Sequence, residues 1–312
     1  MTTELPLHDA ARILVIGGSG FVGWNAVRRF CARGNTVGAT FLTRTHYLHQ
    51  VPGCVPLRLD ITDGDAVEAT FARFQPTLVL HLAARARPQL DTDPAELDLV
   101  NVGGSAHIAR AASRCGARLI YLSTDVVYPD DAGLCSESTL TSPFRETPYG
   151  ASKLRGEEAV RSLAPDHVVI RPSVIYGRYG DGWGGFLGRV EEVWSRGERM
   201  SVFSDQVRSF VFVGDLLDAI ETVAAANNPH RLYVAGGAEG LTRAEFTRRY
   251  ALHRGLDPDQ VLEPMRTSEL PGHRGGASDI RLDTARLRSL GWQPHSLEET
   301  FVLMDADRGE GG

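Results

Sequence analysis

The chain has little cysteine, and its apolar residues nowhere form a long uninterrupted run. The 312 residues contain no HExxH sequence and no CxxC pair, and the four cysteines lie far apart, at Cys31, Cys54, Cys115 and Cys135. These spacings suit neither a metal site nor a disulfide framework. No apolar stretch approaches the roughly 18 residues of a membrane-spanning helix, and the start of the chain lacks the layout of a signal peptide. We therefore expect a cytoplasmic protein with reduced thiols, no metal and no membrane partner.

An excess of positive charge is also missing. The formal net charge is −6 at pH 7, which leaves no basic surface for nucleic acid. A chain of 312 residues is long enough to bury a large core, in one large domain or in two smaller ones.

Short apolar segments alternate with helical patterns through the first half of the chain. Helices are predicted at residues 24–33 and 93–115, and strands at residues 12–16, 36–43, 55–59, 77–82, 118–123 and 168–171. Such alternation predicts a parallel sheet covered by helices on both faces, with ligands at the carboxyl ends of the strands. The predicted fold class is therefore α/β, with a Rossmann-type doubly wound parallel sheet.

The sequence changes character after residue 172. Residues 176–185 are rich in glycine and aromatic residues, which predicts a loop. Three later segments have the pattern of amphipathic helices: residues 214–226, 242–253 and 296–305. The predicted domains are a Rossmann domain at 1–175 with segments near 204–235 returning to it, a substrate-binding region at 176–203 and 236–305, and a flexible tail at 306–312.

A glycine turn follows the first predicted strand and leads into a helix. Gly17, Gly20 and Gly23 have GxxGxxG spacing, with Phe21 and Val22 between the last two. Glycine permits the tight turn and lets the backbone approach a pyrophosphate, while the helix amino terminus favours negative charge. The turn predicts a dinucleotide site, and a βα turn without a ligand is the alternative.

Tyr149 and Lys153 lie four residues apart, so on a helix they share one face. An ammonium group beside a phenol favours the phenolate and lowers the tyrosine pKa toward the range of a general acid or base. A hydroxyl from Ser123 or Thr124 could hold a carbonyl oxygen beside that phenol. The set predicts proton transfer to oxygen coupled to hydride transfer at carbon. A packed tyrosine with a solvated lysine is the alternative.

Together these motifs resemble the extended short-chain dehydrogenase/reductases, over residues 12–300. The stretches Ser123–Tyr128, Tyr149–Glu157 and Asp205–Gln206 are most similar to the dTDP-4-dehydrorhamnose reductase-like branch. The resemblance implies a smaller carboxyl-terminal cap for substrate, a homodimer, and Tyr149 as general acid. It also implies that Lys153 binds the nicotinamide ribose and that Thr124, rather than Ser123, holds the substrate oxygen.

The end of the second predicted strand indicates the cofactor. An NAD enzyme usually has an acidic residue there for the ribose 2′-hydroxyl, whereas this chain has Arg44, and guanidinium pairs well with a 2′-phosphate. NADP(H) is therefore favoured and NAD(H) is the alternative, with Arg44 then an ordinary surface residue. The resemblance adds further cofactor contacts at Asp60, Ile61, Ala83, Ala84, Arg85, Ser123 and Tyr149. Asp60 as a simple turn acceptor before Thr62 is nearly as well supported.

The substrate is expected to be a nucleotide-linked sugar. Candidate substrate-binding residues are Asp125, Arg145, Trp183 and Arg208, with Arg171, Tyr176 and Arg274 considered beside them. Arginine suits diphosphate and an aromatic face suits a base or sugar. Arg171 reads better as the end of a sheet strand, and Arg208 has the strongest claim because related enzymes contact substrate in its segment.

Two departures from family patterns bear on the reaction. Dehydratases of the family carry a glutamate where this chain has Val126, and valine cannot move the proton that elimination requires. Residues 207–210 also differ from the usual reductase pattern, which weakens the substrate assignment. The favoured function is an NADPH-dependent reductase of a keto group on a nucleotide-linked sugar. The alternatives are an NAD-dependent nucleotide-sugar epimerase and a non-catalytic nucleotide-binding regulatory subunit.

Overall fold

The computed structural model describes residues 11–45, 47–85, 93–142, 147–226, 230–269 and 278–307. The strands in these ranges are β1 (Arg12–Ile16), β2 (Thr36–Phe41), β3 (Cys54–Arg58), β4 (Leu78–His81), β5 (Arg118–Leu122), β6 (Gly133–Cys135), β7 (His167–Pro172), β8 (Ile175–Tyr179), β9 (Gly182–Gly184), β10 (Met200–Phe203), β11 (Gln206–Arg208), β12 (Val211–Phe212), β13 (Leu232–Ala235), β14 (Leu241–Thr242), β15 (Leu262–Met265) and β16 (Ser278–Leu282).

The helices are α1 (Phe21–Ala32), α2 (Gly64–Phe74), α3 (Pro94–Asp98), α4 (Ser105–Cys115), α5 (Pro148–Leu163), α6 (Gly185–Ser195), α7 (Val213–Ala225), α8 (Arg243–His253), α9 (Pro258–Val261), α10 (Ala285–Arg288) and α11 (Leu297–Ala306). Within the described ranges, no helix is long and apolar enough to cross a membrane.

The main sheet is parallel and has seven strands, in the order β13-β7-β5-β4-β1-β2-β3. Its central strands are nearly continuous apolar runs because both faces are covered, and Ile13 through Ile16 are completely buried. The strand order reverses between β1 and β4, which is where such folds bind ligands at the carboxyl ends. The predicted doubly wound α/β fold is confirmed, and the six predicted strands lie within two residues of the observed ones.

The helix predicted at residues 93–115 is interrupted. A π-helical segment at Leu99–Gly104 separates α3 from α4. Gly103 and Gly104 fall within this segment, and glycine weakens an α-helix. Gly104 also needs to be small, because a Cβ there would lie 2.6 Å from Ile61 Cγ1. The deviation therefore combines low helix propensity with close packing.

The chain consists of two compact units. The first comprises Met1–Val127, Thr147–Arg171 and Leu217–Tyr233, and the second Tyr128–Glu146, Pro172–Leu216 and Val234–Gly312. The second unit contains a four-stranded sheet in the order β14-β11-β16-β6, together with the pair β10-β15 and the set β12-β8-β9. An aromatic cluster forms its core, in which the Phe210 and Phe246 rings stack at 4.2 Å.

The prediction of a loop at residues 176–185 is wrong. Strands β8 and β9 pair antiparallel there, and β12 adds to β8 in parallel. Glycine in this segment allows close approach rather than a loop, since a Cβ on Gly177 would lie 2.5 Å from Val213 Cγ1. Tyr176 is buried in the aromatic cluster. The three later helices lie within one residue of their predicted bounds.

Candidate active site

The glycine turn between β1 and α1 forms a cradle with no room for side chains. Gly17 adopts a φ of +84°, which favours glycine. Its N–H donates to Thr40 Oγ1 at 2.9 Å, so the turn is fixed to β2. A Cβ on Gly23 would lie 2.1 Å from the Gly17 carbonyl oxygen. Helix α1 begins behind Gly20 with no side-chain cap and no acidic residue in its first turn, which suits a diphosphate.

Replacing Gly23 by alanine tests this cradle. The added methyl group would meet backbone atoms that cannot rotate away, so we expect a loss of about 1–3 kcal/mol in the free energy of unfolding and weaker NADPH binding. Urea unfolding and calorimetric titration measure the two effects. Gly103→Ala is the control, because its Cβ would meet only the Asp98 carbonyl at 3.8 Å. Equal behaviour of the two variants would contradict the close packing of the turn.

The residues after β4 lie against the glycine turn. A Cβ on Gly17 would be 2.8 Å from the Ala83 nitrogen, so the predicted cofactor residues Gly17 and Ala83 are neighbours. Ala84 is half-buried, and the Arg85 N–H donates to Asn101 Oδ1 at 2.9 Å. The Arg85 guanidinium itself forms an exposed ion pair with Glu96 at 2.7 Å. The structure thus brings two parts of the predicted cofactor site together.

The residues predicted to contact the adenosine part of the cofactor differ in their surroundings. Asp60 accepts hydrogen bonds from the Thr62 N–H at 2.9 Å and hydroxyl at 2.7 Å, and these bonds lower the pKa of its carboxyl group. Its turn-acceptor role is therefore present whether or not it also binds a cofactor. Ile61 is buried against Gly104. Arg44 is exposed, three residues beyond the end of β2.

Tyr149 and Lys153 occupy the first two turns of α5, which starts with Pro148. Proline is favoured in a first helical turn, so it fixes where the helix begins. Tyr149 is half-buried, whereas Lys153 is 1% exposed. A buried lysine contradicts the alternative of a solvated one. Lys153 is also the only lysine of the chain, among 32 arginines, and this rarity is a signal that the sequence itself carries.

The pKa of Tyr149 does not follow the sequence prediction. Burial, with the nearby Asp125 carboxylate, raises it to about 12, whereas the Tyr–Lys spacing predicted a lowered value. Burial lowers the pKa of Lys153 to about 7, and Glu157 acts in the opposite direction. The prediction is corrected because spacing alone does not report desolvation, which opposes the charged form of both groups. Tyr149 is therefore a protonated phenol at neutral pH.

The turn after β5 carries the predicted Ser123, Thr124 and Asp125, and α5 packs against it. Thr124 is half-buried; its hydroxyl accepts from the Val126 N–H at 3.3 Å and lies 3.4 Å from Asp125 Oδ1. Asp125 is buried. Ser123 is buried too, and donates to Glu157 Oε1 at 2.5 Å. The structure therefore assigns the Ser123 hydroxyl a contact with α5, while its cofactor role stays a prediction.

Glu157 was not identified as a site residue from the sequence, and Arg171 was considered for substrate binding but read better as the end of a sheet strand. The Arg171 guanidinium donates to both carboxylate oxygens of Glu157, at 2.9 and 2.6 Å, and both side chains are buried. This bidentate pair joins α5 to β7, one helical turn after Lys153. It explains Arg171 better than the substrate role that was considered for it.

The predicted substrate-binding residues of the second unit are packed. The Trp183 ring centroid lies 4.5 Å from the Arg178 guanidinium carbon and 5.6 Å from the Tyr250 ring. Arg208 is buried and donates to the carbonyl oxygens of Val207 and Ser278. The Tyr176 hydroxyl lies 2.7 Å from Thr300 Oγ1. Their substrate roles remain predictions, and Arg145 and Arg274 lie outside the described residues.

Comparison with known proteins identifies the family. The family described as RmlD substrate binding domain matches residues 11–304. The chain belongs to this family. A dTDP-4-dehydrorhamnose reductase of Streptomyces griseus is 30% identical over 300 residues, which cover 92% of this chain and 90% of the relative. The predicted resemblance to the reductase-like branch is thereby confirmed, as is the prediction of an enzyme of the NAD(P)-dependent oxidoreductase type.

Solved structures of the same fold carry either nicotinamide cofactor. A dTDP-4-dehydrorhamnose reductase of Bacillus anthracis, in complex with NADP, has a TM-score of 0.78 and 23% identity, and covers 96% of this chain and 99% of that chain. A UDP-glucose 4-epimerase of Thermus thermophilus, in complex with NAD, has a TM-score of 0.78 and 26% identity, with the same coverages. Both nicotinamide cofactors considered for this chain thus occur among solved structures of this fold.

Proposed function

We propose that this RmlD-family protein is an NADPH-dependent reductase of a keto group on a nucleotide-linked sugar. The observation that carries the proposal is the fully buried Lys153, the only lysine of the chain, one turn from Tyr149 on a helix that packs on the Ser123–Asp125 turn. A buried ammonium group is costly and is retained where chemistry uses it. The relatives named as reductases support the same reaction.

When bound, NADPH would supply the hydride to the carbonyl carbon of the substrate. Gly17, Gly20 and Gly23 would hold its diphosphate at the start of α1, with Phe21 and Val22 in the first helical turn. The Ala83–Arg85 segment would pass beside the diphosphate and ribose, and Asp60 and Ile61 would lie toward the adenine. A side chain at Gly17 would collide with Ala83 and one at Gly23 with the Gly17 backbone, so glycine at these positions permits the tight turn that would present the start of α1 to the diphosphate.

The protein residues would handle the proton. Tyr149 donates its phenolic proton to the carbonyl oxygen as negative charge develops there, and the Thr124 hydroxyl donates a hydrogen bond to the same oxygen. The raised pKa of Tyr149 keeps the phenol protonated before the reaction, as reduction requires. Lys153 stabilises the tyrosinate that remains, because an ammonium group favours the ionised phenol. Solvent then reprotonates Tyr149.

Asp125 and Arg208 would bind the substrate, and Arg145 and Trp183 are further candidates for this role. Dehydration is disfavoured, since the Val126 side chain has no group that can transfer a proton. An epimerase would use the same tyrosine and lysine but would retain NAD(H) through its cycle. The epimerase relatives support this alternative. A regulatory subunit without catalysis is less well supported, because the chain keeps Tyr149 and Lys153 together. A homodimer is the expectation from the family.

Incubating the purified protein with a panel of nucleotide-linked 4-keto sugars tests the function. We expect loss of reduced cofactor absorbance with NADPH for at least one sugar, and slower loss with NADH. Mass spectrometry of the denatured protein would identify any retained nucleotide. Stoichiometric retained NAD together with no net oxidation of NADPH would instead establish the epimerase alternative.

Replacing Arg44 by alanine tests the choice of cofactor. A hydrogen bond to a charged group contributes about 1.5–3 kcal/mol, so we expect the KM for NADPH to rise about tenfold or more while the KM for NADH stays the same. Steady-state kinetics with both cofactors measure the ratio. Arg73→Ala, an exposed arginine in the last turn of α2, is the control. An unchanged NADPH preference in Arg44→Ala would remove this residue from the site.

A further inference from the structure

Lys153 is buried, and a buried ammonium group needs a favourable partner in order to stay charged. It lies 1% exposed in the first unit, and a buried ammonium group without compensation reverts to the neutral amine. A neutral amine could not stabilise the tyrosinate of Tyr149. Any role of a neighbour in keeping Lys153 charged rests on the proposed function, since that function requires Lys153 to be charged.

A tyrosine of the central sheet lies directly against this ammonium group. Lys153 Nζ is 4.0 Å from the centroid of the Tyr121 ring, and Tyr121 on β5 is completely buried. Cations within about 6 Å of an aromatic centroid are attracted by the negative face of the ring, and the attraction is strongest where water is excluded. The contact therefore has both the distance and the burial at which a cation–π interaction counts.

The Tyr121 ring is fixed by its neighbours. The His81 ring on β4 lies 5.3 Å away, with its Nε2 3.0 Å from Ser105 Oγ. On the side of α5, a Cβ on Gly156 would come within 2.4 Å of Tyr121 Oη. Gly156 therefore leaves space for the phenol against the same helix that carries Lys153. A fixed ring gives the lysine one defined position.

The charged and titratable groups around Lys153 are compatible with a stabilising role for the Tyr121 ring. His81 stays neutral, because burial and the neighbouring lysine lower its pKa to about 3. Glu157, on the same helix as Lys153, attracts the ammonium group, but its two oxygens already accept bonds from Arg171 and Ser123. Tyr149 is a neutral phenol, because its pKa is raised to about 12. The attraction of the Glu157 carboxylate is therefore divided among several partners. The ring of Tyr121 supplies additional attraction for the ammonium group of Lys153.

We propose that Tyr121 is a positioning residue for Lys153, and that the face of its ring holds the ammonium group in place and favours its charged form. The role belongs to the ring and not to the hydroxyl group. Phenylalanine at this position keeps the ring, whereas leucine and methionine remove it but remain apolar and fill much of the space.

The single lysine makes the test direct. Growth on lysine labelled with ¹³C at Cε gives one side-chain signal in the full chain, if any purification tag is free of lysine. Its chemical shift is followed against pH in the wild type and in Tyr121→Phe, Tyr121→Leu and Tyr121→Met. We expect wild type and Tyr121→Phe to titrate alike, and the Lys153 pKa of the other two to be lower by about one unit.

A pKa that is unchanged or raised in folded Tyr121→Leu and Tyr121→Met would overturn the proposal. Tyr233→Leu, which removes a buried tyrosine from β13 of the same sheet, is the control for a cavity elsewhere and should leave the signal unmoved. The titration needs no substrate, so it decides the role of Tyr121 even if no sugar is turned over. With a substrate, the loss of kcat in Tyr121→Leu should vanish in a Lys153→Met background.

Discussion

Tyr149→Phe is expected to lower kcat about 100- to 10,000-fold, the usual contribution of a positioned general acid. Phenylalanine keeps the ring and its packing but has no proton to give to the developing alkoxide. The KM for NADPH should change little, because the glycine turn is untouched. Steady-state kinetics with the best sugar of the panel, and binding of NADPH by titration calorimetry, separate the two quantities.

The matched control for this variant is Tyr233→Phe, which removes a hydroxyl from a buried tyrosine on the edge strand β13. It should leave kcat within about twofold, since a change of one hydroxyl away from the reaction has no part in proton transfer. If Tyr149→Phe kept wild-type kcat, another group would be the acid, and the assignment of Thr124 and Lys153 around it would lose its basis.

Local sequence patterns predicted the framework of the site well. Glycine spacing identified the turn after β1, although α1 begins at Phe21 rather than at residue 24. The reason is Gly23: glycine disfavours a helix, but here it lies inside one because a side chain would meet the Gly17 carbonyl. The same confusion between a flexible glycine and a closely packed one produced the incorrect loop at residues 176–185.

Contacts between distant residues could not be predicted in the same way. Nothing in the sequence joins Tyr121 to Lys153, which are 32 positions apart, yet their side chains meet at 4.0 Å. The pKa of Tyr149 was predicted in the wrong direction for a related reason, since desolvation depends on what surrounds the helix. Periodicity predicts which face of an element is buried, but not which polar groups meet there.

The second large effect is expected from Glu157→Ala. This change leaves the Arg171 guanidinium buried at 3% exposure without its bidentate partner. Breaking a buried pair by removing one member typically costs about 3–5 kcal/mol, so the urea midpoint should fall strongly. Because Glu157 also accepts from Ser123, the turn that carries Thr124 should loosen as well, and kcat should fall together with stability.

Two comparisons separate the buried charge from simple loss of packing. Arg114→Ala breaks an exposed ion pair with Glu68 in the same unit, and exposed pairs contribute little, so its urea midpoint should barely move. Replacing both members, in Glu157→Leu with Arg171→Met, removes both buried charges and should recover much of the stability that Glu157→Ala loses, because apolar groups of similar size tolerate burial. Recovery of stability without recovery of kcat is the expected combination. It would mean that the pair is needed to orient α5 and the Ser123 turn, and that folding alone does not require its charges. A Glu157→Ala midpoint no lower than that of Arg114→Ala would contradict this role.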